Sequence, residues 1–333
     1  MEIIAEIGNT HEGSLGVAKS FVDMACSAGV KVVKFQMHLA EAEGMADEPF
    51  RVNFSDQDRT RQDYWRRVNF TESSWIKLAN YCESKGVEFL CTALSFEAAK
   101  FLHENRLVKR WKVGSGNAAD WPLLKYLLST RLPILISTGL VSSDEVDEIK
   151  DFFQRNNSAN LLTLLHCVSN YPVRIEDIDM HLMNDLRSGG FKVGYSDHSG
   201  SIFPSLYALA LGAESIEVHM TPRKDYFGPD VSSSLTPEEI SLLVNYVKSL
   251  EVMKSSVGTK QIHFDRVSQL RQLFRKGIYW SRDIEPGEEI QLQDLKFLKP
   301  VRGIDVVNYE LILGRKTNKS VKAFSPAKWD DLD

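Results

Sequence analysis

Excess positive charge is the first thing this sequence lacks. Forty Lys and Arg stand against 45 Asp and Glu, for a net charge of −5, and the short basic clusters Lys109-Arg110 and Arg223-Lys224 are broken by other residue types. Such a balance exerts no global pull on nucleic acid or an anionic membrane surface, so neither is expected as a partner. No run of about 18 apolar residues occurs, which excludes a membrane-spanning helix. The opening MEIIAEIGNTHEGS lacks the basic stretch and apolar run of a secretory signal, and the expected location is cytoplasmic. Cysteine is scarce: Cys26, Cys82, Cys91 and Cys167 are scattered without metal-type spacing and read as reduced packing residues. A glycine-rich nucleotide turn is missing too, because the first apolar run is followed by GNTHEGS and not by G-x-G-x-x-G.

What is present is an alternation. Short apolar, β-branched runs recur at 3–8, 31–37, 88–95, 110–116, 132–138, 161–169, 192–198 and 215–220, which makes eight candidate strands. Between them lie stretches of helical periodicity, among them 14–29, 73–86, 142–155 and 236–253. Several open on Ser, Thr or Pro with acidic residues, and the first two close at Gly29 and Gly86, as helix starts and stops should. Near-continuous apolar strands alternating with helices imply a parallel sheet covered by helices. Eight units over roughly 250 residues match a closed (β/α)8 barrel better than an open doubly wound sheet. The expected division is a barrel at 1–255, a polar linker at 256–270 and a small, mainly β domain at 271–333, where Pro-Gly and Arg-Gly turns punctuate short strand-like pieces.

In such a barrel, functional groups converge from the C-terminal ends of the strands. The polar residues there are Glu6, Lys34, Gln36, Thr92, Lys112, Ser115, Ser137, His166, Ser169, Ser196, Asp197, His198 and His219. Two lysines and several hydroxyls in one mouth suit an anionic substrate, such as a phosphate or carboxylate. His198 and His219, ending neighbouring strands, suit a divalent metal with open positions, with Glu6 nearby. Each residue alone has a plainer reading as a structural histidine, a rim lysine or a turn serine; the convergence outweighs it.

The set AEIGNTHEGSLGVA, VVKFQ, KVGSG, ISTGL, LLHCVSNYP, YSDHSG, ALGAESIEVHMT and GPDVSSSLTPEE resembles the N-acetylneuraminate (sialic acid) synthase family. The tail SRDIEPGEEIQLQDLKFLKP and LILGRK resembles the antifreeze-like (SAF) domain that follows the barrel in that family. The resemblance implies a transferase that condenses phosphoenolpyruvate with an N-acylated aminohexose, N-acetylmannosamine or a diacetamido-trideoxyhexose, to a nine-carbon 2-keto-3-deoxy acid and phosphate. It implies that His198 and His219 hold Mn2+, or Mg2+ or Co2+ in its place, and that Glu6 sits beside the reacting carbons. Lys34, Thr92, Lys112, Ser115, Ser137 and Ser196 would then bind phosphoenolpyruvate, and Gln36, Ser169, Tyr171 and Asp230 would lie at or near the sugar. It also implies a homodimer in which one chain's small domain covers the other's barrel mouth.

The chain departs from the family pattern in three places. Asn117 stands where K-x-G-S-G-E has its glutamate, and an amide exchanges no proton near neutral pH; Glu6, Glu12 and Asp120 are the candidate replacements. Ser169 stands where asparagine is common. LKPVRG replaces K-R-P-G, leaving Lys299 and Arg302 as candidates for the small domain's sugar contact. The long connection 41–70 offers Tyr64 and Trp65 for stacking on a sugar or for packing of a lid, with Arg66 and Arg67 beside them. The rival functions are a Schiff-base aldolase using Lys34 or Lys112, and a catalytically silent sugar-binding protein.

Overall fold

The computed structural model describes residues 1–333 apart from Asn53, Val257 and Thr259. The parts of the 41–70 connection and the 256–270 segment formed by those three lie outside the described residues.

Each apolar run forms a strand and pairs in parallel with the next: β1 (Glu2–Gly8), β2 (Val32–Met37), β3 (Glu88–Ala93), β4 (Trp111–Val113), β5 (Ile134–Ser137), β6 (Leu162–Cys167), β7 (Lys192–Asp197) and β8 (Ser215–Met220). β1 also pairs with β8, from Glu2↔Ser215 to Glu6↔His219, so the sheet closes on itself. This is the expected (β/α)8 barrel. A two-residue strand, β9 (Ser234–Leu235), extends the pairing beyond β8. β4 is the largest trim of an expected strand, three residues instead of seven, because the chain turns at Gly114 into a short 3-10 turn, Ser115–Asn117.

The covering helices are α1 (Leu15–Ser27), α2 (Ala40–Glu43), α3 (Arg61–Val68), α4 (Glu72–Ser84), α5 (Phe96–Glu104), α6 (Trp121–Ser129), α7 (Ser143–Arg155), α8 (Leu182–Arg187), α9 (Ile202–Ala210) and α10 (Pro237–Ser255). Their starts are chemically specified. Ser14 accepts from the backbone N–H of Val17, and Ser142 with Glu145 forms a reciprocal capping box on α7. α2 and α3 are extra helices carried by the long connection after β2, and α8 has only six residues.

Alternation along each strand sends one set of side chains outward to the helices and the other into the barrel. The outward set joins the main apolar core, with Phe35, Trp111, Tyr195 and Val218 among its members. The inward set begins as a separate apolar plug of Ile4, Val32, Leu90, Leu135 and Leu165. Two residues further along the strands, the inward positions become polar.

The chain divides into two compact units, Met1–Lys254 and Ser255–Asp333. The second has its own core of Ile278, Trp280, Ile284, Ile290, Ile304 and Ile312 around an antiparallel pair, β10 (Gly277–Trp280) with β11 (Leu295–Leu298). The expected linker is partly helical: α11 (Lys260–Arg266) and α12 (Ser268–Phe274) occupy it, and neither buries a residue.

Candidate active site

Just beyond the apolar plug, two lysines and two glutamates meet inside the barrel, each nearly or fully sealed from solvent. Lys34 Nζ lies 3.1 Å from Glu6 Oε2 and 3.2 Å from Glu217 Oε1, and donates to Thr92 Oγ1 at 3.2 Å. Lys112 Nζ donates to Ser137 Oγ at 2.8 Å and to the Val113 carbonyl at 3.1 Å, with Glu217 Oε1 at 3.6 Å. Ser196 Oγ donates to the same Glu217 oxygen at 3.3 Å. Strands β1, β2, β3, β4, β5, β7 and β8 thus supply one connected polar layer. Glu217 Oε2 has no hydrogen-bond partner among the described residues.

Burial disfavours charge on all of these groups, and the neighbours decide the outcome. Desolvation works against the Lys34 ammonium, but Glu217 and Glu6 outweigh it and its pKa is raised. Lys112 is desolvated in the same way, has Glu217 as its chief counter-charge and feels Lys34 as repulsion, so its pKa is lowered. Burial opposes ionisation of Glu217, yet Lys112 and Lys34 hold it below the ordinary carboxylate range. The layer therefore contains one firmly held ammonium and one poised to gain from an arriving anion.

The histidine side of the mouth adjoins this layer. The His198 and His219 rings lie 5.4 Å apart, centre to centre. Tyr171 stacks on His198 at 4.0 Å, and Arg51 covers the other side of Tyr171 at 4.1 Å while pairing with Asp230 at 2.6 Å. Asp230 Oδ2 is 3.8 Å from His219 Nδ1. Ser115 Oγ accepts from the Gly139 backbone N–H at 3.0 Å and donates to Cys167 Sγ at 3.9 Å, with Ser169 Oγ at 4.0 Å from that sulfur. Gly139 permits this approach, since a Cβ there would collide with Ser169 Oγ and the Cys167 carbonyl.

Whether two imidazoles suit a divalent ion is tested by their protonation. The Val168 carbonyl only accepts, so His198 Nδ1, 2.9 Å away, carries the hydrogen and Nε2 keeps its lone pair. Burial, then repulsion from His219, lowers the His198 pKa to about 3 and keeps the ring neutral, as a ligand must be. No group of three or more His, Cys, Asp or Glu among the described residues forms a metal cage. The two rings would leave the rest of an ion's shell to water and substrate oxygens.

Several expectations need revision. His166, expected at the mouth, faces outward toward Tyr195 and the helices, because its neighbours Leu165 and Cys167 take the inward positions. Asp120 is engaged as the N-cap of α6, accepting from Leu123, and Glu12 is held by Arg67 at 2.9 Å and Tyr64 at 3.2 Å. Of the three carboxylates considered as substitutes at Asn117, Glu6 alone stands in the polar layer. Tyr64 and Trp65 are buried with Val68 and Ala40, so they pack the connection, and both also line the small cavity shared by Gln36, Arg51 and Asp230. Lys299 and Arg302 are exposed residues of the second unit. Glu217 is the residue that sequence reading left out: it looks like part of the apolar run SIEVHM, although its two-residue spacing from His219 puts both on one strand face.

Fold and mouth together define a (β/α)8-barrel protein with a polar site at the C-terminal strand ends, followed in the chain by a small β unit. The chain belongs to the NeuB family, whose model matches residues 21–259, and the SAF domain model matches residues 275–333. The N,N'-diacetyllegionaminic acid synthase of Legionella pneumophila is 32% identical over 339 residues, covering 99% of this chain and 94% of its own. The N-acetylneuraminate-9-phosphate synthase of Homo sapiens is 32% identical over 265 residues, 78% of this chain and 72% of its own. Among solved structures, the N-acetylneuraminic acid (sialic acid) synthetase of Leptospira borgpetersenii, in complex with citrate, superposes with a TM-score of 0.68 at 27% identity, covering 81% of this chain and 92% of that one.

Proposed function

We propose that this chain is a nonulosonic acid synthase, condensing phosphoenolpyruvate with an N-acylated aminohexose to a nine-carbon 2-keto-3-deoxy acid and inorganic phosphate. The observation that carries the reading is the buried Lys34–Glu217–Lys112–Ser137 layer beside two imidazoles, in a chain of this family. Both lysines are already charge-matched, so an anion must bring enough oxygens to replace carboxylates as their partners. A phosphate and a carboxylate on one small molecule do so.

In this mechanism Lys34, Thr92, Lys112, Ser115, Ser137 and Ser196 bind and orient phosphoenolpyruvate. Gln36, Tyr171 and Asp230 orient the sugar, whose aldehyde carbon accepts a bond from C3 of phosphoenolpyruvate. His198 and His219 would hold a divalent ion, Mn2+ foremost with Mg2+ or Co2+ as substitutes, and the chemistry it would supply is Lewis-acid polarisation of the aldehyde. Water adds at C2, one of its protons passing by way of Glu6 or solvent to the former aldehyde oxygen, which becomes a hydroxyl; the C–O bond to phosphate then breaks and the second proton leaves with the phosphate as C2 becomes the ketone. The four cysteines are unpaired, which fits a reducing compartment such as the cytoplasm. A homodimer, one chain's SAF domain over the other's mouth, would exclude water.

The test is phosphate release from phosphoenolpyruvate with a panel of acetamido hexoses, with Mn2+ and with a chelator. Chelator-sensitive release that depends on one sugar is expected and names the acceptor. Borohydride trapping of Lys112 by a carbonyl substrate without metal would favour the aldolase. Tight phosphoenolpyruvate binding without release for any sugar would favour a silent binding protein, with Asn117 as its reason.

A further inference from the structure

Gln36 belongs to the acceptor side of the mouth, and its amide is held at both ends. Glu6 is ion-paired with Lys34 and accepts only, so the Gln36 atom facing its Oε1 at 2.5 Å must be the amide nitrogen. The opposite atom is then the carbonyl oxygen, 3.2 Å from His38 Nε2. A carbonyl cannot donate, so His38 Nε2 carries a hydrogen. His38 Nδ1 lies 2.7 Å from Glu43 Oε2, too close for two facing lone pairs, so a proton also sits in that contact. Glu43 itself is fixed, its Oε1 accepting from the Leu39 backbone N–H.

The imidazole plane is locked as well. It stacks on Trp65 at 4.8 Å with 12° between planes, and Arg61 lies over Trp65 at 4.6 Å. The charged or titratable groups that face it are Glu43 from α2, Arg61 across Trp65 from α3, and His11 after β1, which burial and His38 keep neutral with a pKa lowered to about 3. Gln36 and His38 line a small cavity of about 110 Å³ together with Asn9, Arg51 and Asp230.

We infer that Glu43 and His38 form a positioning relay that fixes the orientation of the Gln36 amide, so that Gln36 presents one N–H to the acceptor. An amide has two N–H bonds and a carbonyl oxygen with two lone pairs; Glu6 takes one N–H and His38 one lone pair, which fixes the orientation of the amide and leaves its second N–H to the mouth. The substrate group that meets this N–H is a hydroxyl oxygen or an acyl carbonyl. This deepens the condensation reading and rests on it only for the identity of the acceptor.

Two measurements test the relay in the full chain. With 15N-labelled histidine, and His38→Phe used to assign the signals, His38 of the unaltered protein should show hydrogen on Nε2. In Glu43→Gln the amide can donate to Nδ1, so Nε2 should keep its hydrogen. An unprotonated Nε2 in the unaltered protein overturns the proposal without any turnover, so it is separable from failure of the synthase reading. In kinetics, His38→Phe keeps a ring on Trp65 but removes the donor, and should raise the acceptor KM about tenfold while phosphoenolpyruvate KM stays within about twofold. Glu43→Gln should be milder. An unchanged acceptor KM in His38→Phe, or an equal rise for both substrates, contradicts the relay.

Discussion

Glu217 is the common counter-ion of Lys34 and Lys112, and its isosteric replacement separates charge from shape. Glu217→Gln leaves two buried ammoniums with only Glu6 between them. Breaking such a set by removing one partner costs roughly 3–5 kcal/mol, so the denaturant midpoint should fall clearly, and an unmoved midpoint would show that the layer is not charge-coupled. The buried histidines set a pH dependence. His11 falls from 6.5 to about 3 through burial and then His38, and His198 likewise falls to about 3 through burial and then His219. Below pH 6.5 the unfolded chain takes up protons that the folded one refuses, so this stability is complete above about 6.5 and lost as pH drops toward 3. Unfolding free energy measured from pH 7.5 to 5 should therefore decline. His11→Phe, able to keep the stack on Phe70, should flatten that slope by about one proton.

At the level of elements, the strands were legible because parallel strands covered on both sides are near-continuous apolar runs. Their parity was harder to read. His166 and Glu217 both sit in apolar runs, and only the alternation fixed by the barrel sends one out and the other in. The lid was legible as a long connection, but Arg51 was not, since nothing local says that its guanidinium crosses to Tyr171 and Asp230. Asn117 was visible as a departure; Asp120 before Trp121-Pro122 carries a local N-cap pattern, whereas the pairing of Glu12 with Arg67 depends on a contact 55 residues away. Parity also governs what the barrel interior tolerates. Gly194 on β7 faces inward, and a Cβ there would press on the Ser215 carbonyl and Leu165 at 2.5 Å. Gly194→Ala should lower stability by about 1–3 kcal/mol through this overpacking, seen as a reduced melting temperature. A melting temperature equal to that of the unaltered protein would mean the interior yields there.

For the whole molecule, the second unit begins with helices that leave Val267, Leu270, Leu273 and Phe274 exposed. A stripe of this kind is expected to be covered by self-association. Sedimentation should report a dimer, and Leu270→Asp with Phe274→Asp should shift it to monomer while the barrel stays folded. A monomeric unaltered protein would remove the proposed cover of the mouth.

The mouth itself holds two positive and two negative side chains in contact, inside a chain of net charge −5. A cationic pocket gathers anions from afar and slows sharply as salt rises. Here the charges cancel locally and leave little field beyond a Debye length of about 8 Å. On the proposed function, phosphoenolpyruvate should therefore reach the metal-free protein without electrostatic steering, at a rate that changes little with ionic strength. Its selection would then fall after contact, in how long it stays once its oxygens take the place of the carboxylates beside the two ammoniums.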